Sequence, residues 1–132
     1  MSDKNLSVVI VEDDNDICDI VMYRLKISGF DVAAAHDGIS GLELIRRKKP
    51  AAVLLDIGMT GMDGLEVLAE LKKDSRTANV IVIMMTAAHF VSDMERAFEC
   101  GADDYITKPF EDDDIARIVK KKIEKNMKGK HV

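Results

Sequence analysis

Apolar residues gather in five short continuous runs, at 6–11, 30–35, 51–55, 80–85 and, more weakly, 104–107. None of these runs alternates with polar residues. Short unbroken runs bounded by turn residues read as strands buried on both faces. Between them the apolar positions change to helical spacing: Ile17, Ile20, Val21 and Leu25; Ile39, Leu42 and Ile45; Leu65, Leu68 and Leu71; Phe90, Met94, Ala97 and Phe98; Ile115, Ile118, Val119 and Ile123. Gly29 and Gly101 suit helix ends, Pro50 forbids continuation of the second helix, and Asp37-Gly38 and Asp63-Gly64 suit helix starts. Strand and helix alternate five times. That pattern predicts an α/β fold: a doubly wound, five-stranded parallel sheet of flavodoxin-like order 2-1-3-4-5 with helices on both faces.

Composition changes this picture little. A chain of 132 residues, 47% apolar and 33% charged, suits one globular domain over 1–132. No signal-peptide pattern opens it and no apolar run approaches bilayer length, so a cytoplasmic protein without membrane contact is expected. Cys18 and Cys100 lie beside apolar residues on candidate helices and read as buried, reduced thiols. His36, His89 and His131 show no metal-ligand spacing and read as surface residues.

Charge is uneven. Arg117, Lys120, Lys121, Lys122, Lys125, Lys128 and Lys130 stand against Glu124 alone in 117–132, a net +6 that leaves −11 for the rest. Cations near a helix C-terminus are favoured by its dipole. No aromatic residue interleaves them to stack on bases, and the acidic remainder repels phosphate. Direct nucleic-acid binding is not expected.

The candidate chemistry stands where the runs end. Glu12 and Asp13 follow the first, Asp56 the third, Thr86 the fourth and Lys108 the fifth. In the expected strand order these ends are neighbours at the carboxyl edge, where open parallel sheets bind ligands. Crowded carboxylates favour a hard cation such as Mg²⁺, which prefers carboxylate, water and substrate phosphate. A carboxylate can attack phosphorus. The three equatorial oxygens of a transferred phosphoryl group would then find Mg²⁺, the Lys108 ammonium and the Thr86 hydroxyl. Gly58 leaves room for its own carbonyl to reach the metal.

Other readings fit less well. No G-x-x-x-x-G-K-[ST] occurs, which excludes a P-loop enzyme. An acidic Glu12-Asp13-Asp14 opposes the phosphate loop a flavodoxin-type carrier needs. A haloacid dehalogenase-type hydrolase needs a second acid where Gly58 stands. A binding module on this fold that had lost the chemistry would lack one of the acids, the Thr or the Lys, and all are present.

Over nearly its whole length the chain resembles the receiver domain of two-component response regulators. The resemblance rests on Val11-Glu12-Asp13-Asp14, Leu55-Asp56, Met62-Asp63-Gly64, Met85-Thr86-Ala87 and Lys108-Pro109-Phe110. It implies that Asp56 accepts a phosphoryl group from a sensor histidine kinase or phosphotransfer protein. It implies that Asp13, Asp56 and the Gly58 carbonyl ligate Mg²⁺, with Glu12 acting through water. Thr86 and Lys108 match the switch hydroxyl and the phosphate-binding lysine, and Tyr105 matches the rotating aromatic. Thr60 stands where the family usually has proline, and with Gly61 beside it the loop is expected to be more mobile. The chain reads as a stand-alone receiver that signals by binding an unidentified downstream protein. Whether phosphorylation makes it dimerise is left open.

Overall fold

The computed structural model describes residues 6–87, 91–108 and 114–130. Five strands alternate with five helices: β1 (Ser7–Val11), α1 (Asn15–Ile27), β2 (Asp31–Ala35), α2 (Gly38–Lys48), β3 (Ala52–Asp56), α3 (Gly64–Lys73), β4 (Ile81–Ala87), α4 (Val91–Glu99), β5 (Asp104–Lys108) and α5 (Asp114–Lys130). All strand pairs are parallel and the order is β2-β1-β3-β4-β5, as expected. β4 runs two residues further than the apolar run, so Thr86 lies within the strand. Lys108 is likewise the last residue of β5.

The continuous apolar runs have a direct cause. Successive strand residues point to opposite faces, and both faces are covered. Val9, Val11, Val53, Leu55, Val82 and Met84 pack under α2, α3 and α4. Val8, Ile10, Leu54, Ile83, Met85 and Ile106 pack under α1 and α5.

Three helices expose a residue of their expected apolar stripe: Ile20 in α1, Ile39 in α2 and Phe98 in α4. In α1 the buried face is Cys18, Val21 and Leu25, and Ile20 is exposed. In α2 Ile39 is exposed, and Gly38 and Gly41 lie inside with Leu42, Leu44 and Ile45. A Cβ at Gly41 would sit 2.8 Å from both methyls of Val11. The helix therefore approaches β1 through Gly41, and an apolar count cannot see such a face.

The two cysteines also differ. Cys18 is buried as expected, but Cys100 is exposed just past α4. Burial, and then the charges of Asp19 and Glu12, pushes the Cys18 thiol up from 9.0 to about 11. The thiolate is the nucleophile, so native protein at pH 8 should give one rapid equivalent of maleimide labelling, at Cys100. The second should appear only on unfolding; equal rates for both would contradict this placement. The unfolded thiol ionises at a lower pH than the folded one. Its contribution to stability is therefore complete below about pH 9 and is lost as pH rises towards 11. Among the described residues no helix is long and apolar enough to cross a membrane.

Candidate functional site

Three carboxylates meet at the carboxyl edge of the sheet. One oxygen each from Glu12, Asp13 and Asp56 lies within 4.8 Å of the others. Glu12 is 1% exposed and Asp56 4%, whereas Asp13 faces solvent. β1 and β3 pair directly, which brings the first two acids beside the third. At an effective dielectric of about 20, two unit charges this close repel by on the order of 3 kcal/mol. All the donors are hard oxygens, so the set fits a small divalent cation such as Mg²⁺.

The acidic run after β1 divides its labour. Asp14 is the N-cap of α1, accepting from the N–H groups of Asp16 at 3.0 Å and Ile17 at 3.1 Å. Such a cap is worth about 1 kcal/mol to the helix. Glu12 accepts the Asp14 N–H through Oε2 at 3.1 Å. The cap therefore holds both the start of α1 and the direction of the Glu12 side chain. His36, at the end of β2, places its Nδ1 3.1 Å from the Glu12 carbonyl oxygen.

Asp56 is held in turn. Its Oδ1 accepts the Gly58 N–H at 3.1 Å, and the Ile57 N–H continues the ladder to the Met85 carbonyl at 3.1 Å. A Cβ at Gly58 would meet nothing nearer than Asp56 Oδ1, at 4.0 Å. Crowding therefore does not demand glycine there. It does at Gly64, where a Cβ would press into the Asp56 carbonyl oxygen and lie 2.7 Å from Ile57 Cα. Gly64 opens α3, whose start is fixed by a capping box: Glu66 N–H donates to Asp63 Oδ1 and Asp63 N–H to Glu66 Oε1, each at 3.0 Å.

Thr86 is 2% exposed and stands on β4 beside β3. Register places Lys108 opposite Ala87, one residue beyond Thr86; of Lys108 only the backbone is described. Tyr105 pairs with Met84 on the face that α4 covers, and strand alternation puts Thr86 on that same face, diagonal to it. The expected strand-end residues are thus brought to one edge. Ala88, His89, Phe90, Pro109, Phe110, the acids 111–113 and His131 lie outside the described residues.

Some contributions were invisible in the sequence. The Thr60 N–H donates to Asp13 Oδ2 at 3.3 Å. Proline lacks that donor, so the departure at position 60 adds a tether between the loop after β3 and the acid cluster. The burial of Gly64 against Asp56 had a partial signal, the Asp63-Gly64 pair that opens a helix directly after the site loop.

Chemically, the edge offers three carboxylates whose oxygens fit a cation, one of them the buried Asp56, and a hydroxyl on the adjoining strand. Known proteins match it over most of its length. The response regulator receiver domain model matches residues 8–120. The chain is 39% identical over 112 residues to the DNA-binding dual master transcriptional regulator RpaA of Synechocystis sp., covering 84% of this chain and 46% of that protein. It therefore spans about half the length of that relative. A CheY-like response regulator receiver domain protein from Methanospirillum hungatei JF-1 has a TM-score of 0.87 at 28% identity, over 95% of this chain and 98% of that one. The receiver domain of the sensor histidine kinase PA1611 from Pseudomonas aeruginosa PAO1, solved with a magnesium ion coordinated in its active-site cleft, gives 0.83 at 26% identity, over 91% and 98%. The chain belongs to the receiver domain family of two-component response regulators.

Proposed function

We propose that Asp56 is the phosphoacceptor of this receiver domain and takes its phosphoryl group from a sensor histidine kinase or a phosphotransfer protein. A carboxylate oxygen of Asp56 forms a bond to phosphorus as the bond from phosphorus to the donor imidazole nitrogen breaks. The nitrogen keeps the electron pair, and the product is an acyl phosphate. Asp13 and Asp56, with the Gly58 carbonyl, would hold Mg²⁺, and Glu12 would act through water. When bound, that ion supplies charge neutralisation for the phosphoryl oxygens. The Gly58 N–H orients the Asp56 carboxylate. The Thr86 hydroxyl and the Lys108 ammonium are assigned to the remaining phosphoryl oxygens. Phosphorylation then draws Thr86 towards Asp56, and Tyr105 turns into the space it leaves. The face of α4, β5 and α5 changes with it and selects a downstream protein partner.

The observation that carries this reading is the approach of three carboxylates from β1 and β3 within 4.8 Å, with Thr86 on the next strand. Incubation with acetyl phosphate and Mg²⁺ should add one acid-stable, base-labile phosphoryl group. Chelation of Mg²⁺ should stop it; equal incorporation without the metal would reject the metal-dependent step. Asp13→Ala should leave the fold intact, because Asp13 is exposed and its removal relieves repulsion. It should weaken Mg²⁺ binding at least about tenfold, since even outer-shell partners of a metal commonly cost that much. Calorimetric titration with Mg²⁺ checks this, and unchanged affinity would remove Asp13 from the ligand set.

A further inference from the structure

Phe98 and Tyr105 form an edge-to-face ring pair, with centroids 5.7 Å apart and planes at 76°. Both rings are partly open to solvent, Phe98 at 44% and Tyr105 at 38%. An aromatic on a surface helix would ordinarily be free to choose its rotamer and neighbours. Here the backbone that carries Phe98 is closely pinned.

α4 ends in a Schellman motif. The Gly101 N–H donates to the Phe98 carbonyl at 3.1 Å and the Ala102 N–H to the Ala97 carbonyl at 2.9 Å. Gly101 has φ 107°, which a side chain would strain, and the Lys72 side chain fills the space beside it. Ala97 and Ala102 are buried beneath the motif. Asp103 then locks onto β4 twice: its N–H donates to the Val82 carbonyl and its Oδ2 accepts the Val82 N–H, both at 2.8 Å. The Phe98 backbone is thus fixed relative to the β4–β5 pair, so its ring can follow Tyr105 only by leaving its own rotamer.

We propose that Phe98 is a positioning residue that holds Tyr105 in its outward orientation and so sets the resting balance of the switch. The proposal rests on the reading of Tyr105 as the ring that turns in when Thr86 moves. Turning in separates the two rings and uncovers a Phe98 already nearly half exposed, so the outward state alone gains from the pair. Edge-to-face pairs of this kind bias a two-state equilibrium by about 2- to 12-fold. A ligand that favours the inward state must overcome that bias, so its apparent affinity falls by as much as the same factor. Phe98 would therefore reduce activation of the unphosphorylated domain.

Beryllofluoride with Mg²⁺, an acyl phosphate mimic at Asp56, is the probe. Its affinity is read from amide chemical shifts of the whole chain. Phe98→Leu keeps apolar bulk and removes the ring; it should bind the probe about 2- to 12-fold more tightly. Phe98→Tyr keeps the edge-to-face pair and should bind like wild type. In a Tyr105→Ala background, Phe98→Leu should change nothing, because the ring it restrains is gone. Unchanged or weaker binding by Phe98→Leu overturns the proposal, as does an equal gain with Tyr105 absent. Failure of the underlying reading looks different. In that case the wild-type shifts stay around Asp56 and never reach residues 91–108, whatever stands at position 98.

Discussion

Asp56→Asn should abolish phosphoryl incorporation, a loss of at least about a hundredfold in rate, because a neutral amide oxygen is a poor nucleophile and forms no stable acyl phosphate. The change is nearly isosteric. The Asn Oδ1 can still accept the Gly58 N–H that Asp56 accepts at 3.1 Å, so the loop after β3 keeps its anchor. The loss therefore cannot be assigned to unfolding. Without metal the variant should be the more stable protein, since it removes one of two buried charges that sit against each other at the ends of β1 and β3. A relief of about 1 kcal/mol would raise Tm by roughly 3–6 °C. Mg²⁺ should then stabilise the variant less than wild type, because one ligand has gone. Phosphate stoichiometry with acetyl phosphate and thermal melts with and without Mg²⁺ read all three effects. Wild-type incorporation by Asp56→Asn would show that the nucleophile lies elsewhere.

That expectation was reachable from the sequence because it needs only the order of strand ends. A strand covered on both faces must be apolar throughout, so its last residue stands out when it is charged. Asp56 ending β3 is such a case, and parallel order then brings it to Glu12 and Asp13. What stayed hidden depends on close approach. Ile39 looked like core and is exposed, because α2 faces inward through Gly41, against Val11 of β1, and Gly38, against Met62 and Val67, and glycines carry no hydrophobic signal. Ile20 missed the core because the stripe through Cys18, Val21 and Leu25 sets the rotation of α1. Cys100 looked buried because it follows the apolar residues of α4, but it lies just past the last residue of that helix. Asp14 resembled its acidic neighbours, and only its two N–H partners mark it as a cap. Every residue but proline carries a backbone N–H, so Thr60 shows that a donor is present but not that it reaches Asp13.

Gly64→Ala should be the most damaging single-methyl change near the site. The reason is steric rather than conformational, since Gly64 is not among the residues of positive φ. Its Cβ would press into the Asp56 carbonyl oxygen and lie 2.7 Å from Ile57 Cα and 2.8 Å from the Asp56 carbonyl carbon. All three are backbone atoms, so no rotamer change makes room. α3 cannot retreat freely either. Its first turn is held by the Asp63–Glu66 capping box, and the Gly64 N–H donates to the Ile57 carbonyl at 3.1 Å. Either the helix start or the end of β3 must move. Overpacking of this kind costs about 1–3 kcal/mol, read as a lower urea midpoint with little change in slope. If β3 yields, Asp56 shifts against Glu12, Asp13 and Thr86, and a displacement near 1 Å can slow a positioned reaction about a hundredfold. Gly58→Ala is the internal comparison. Its Cβ would meet only Asp56 Oδ1, at 4.0 Å, so its stability should stay within about 0.5 kcal/mol of wild type, as for other exposed positions. The two glycines lie six residues apart, Gly58 in the loop after β3 and Gly64 at the start of α3, and only the Asp63-Gly64 helix start hints in the sequence at their different surroundings. If Gly58→Ala proves the more destabilising of the two, the packing of α3 on the backbone of Asp56 is not what shapes this site.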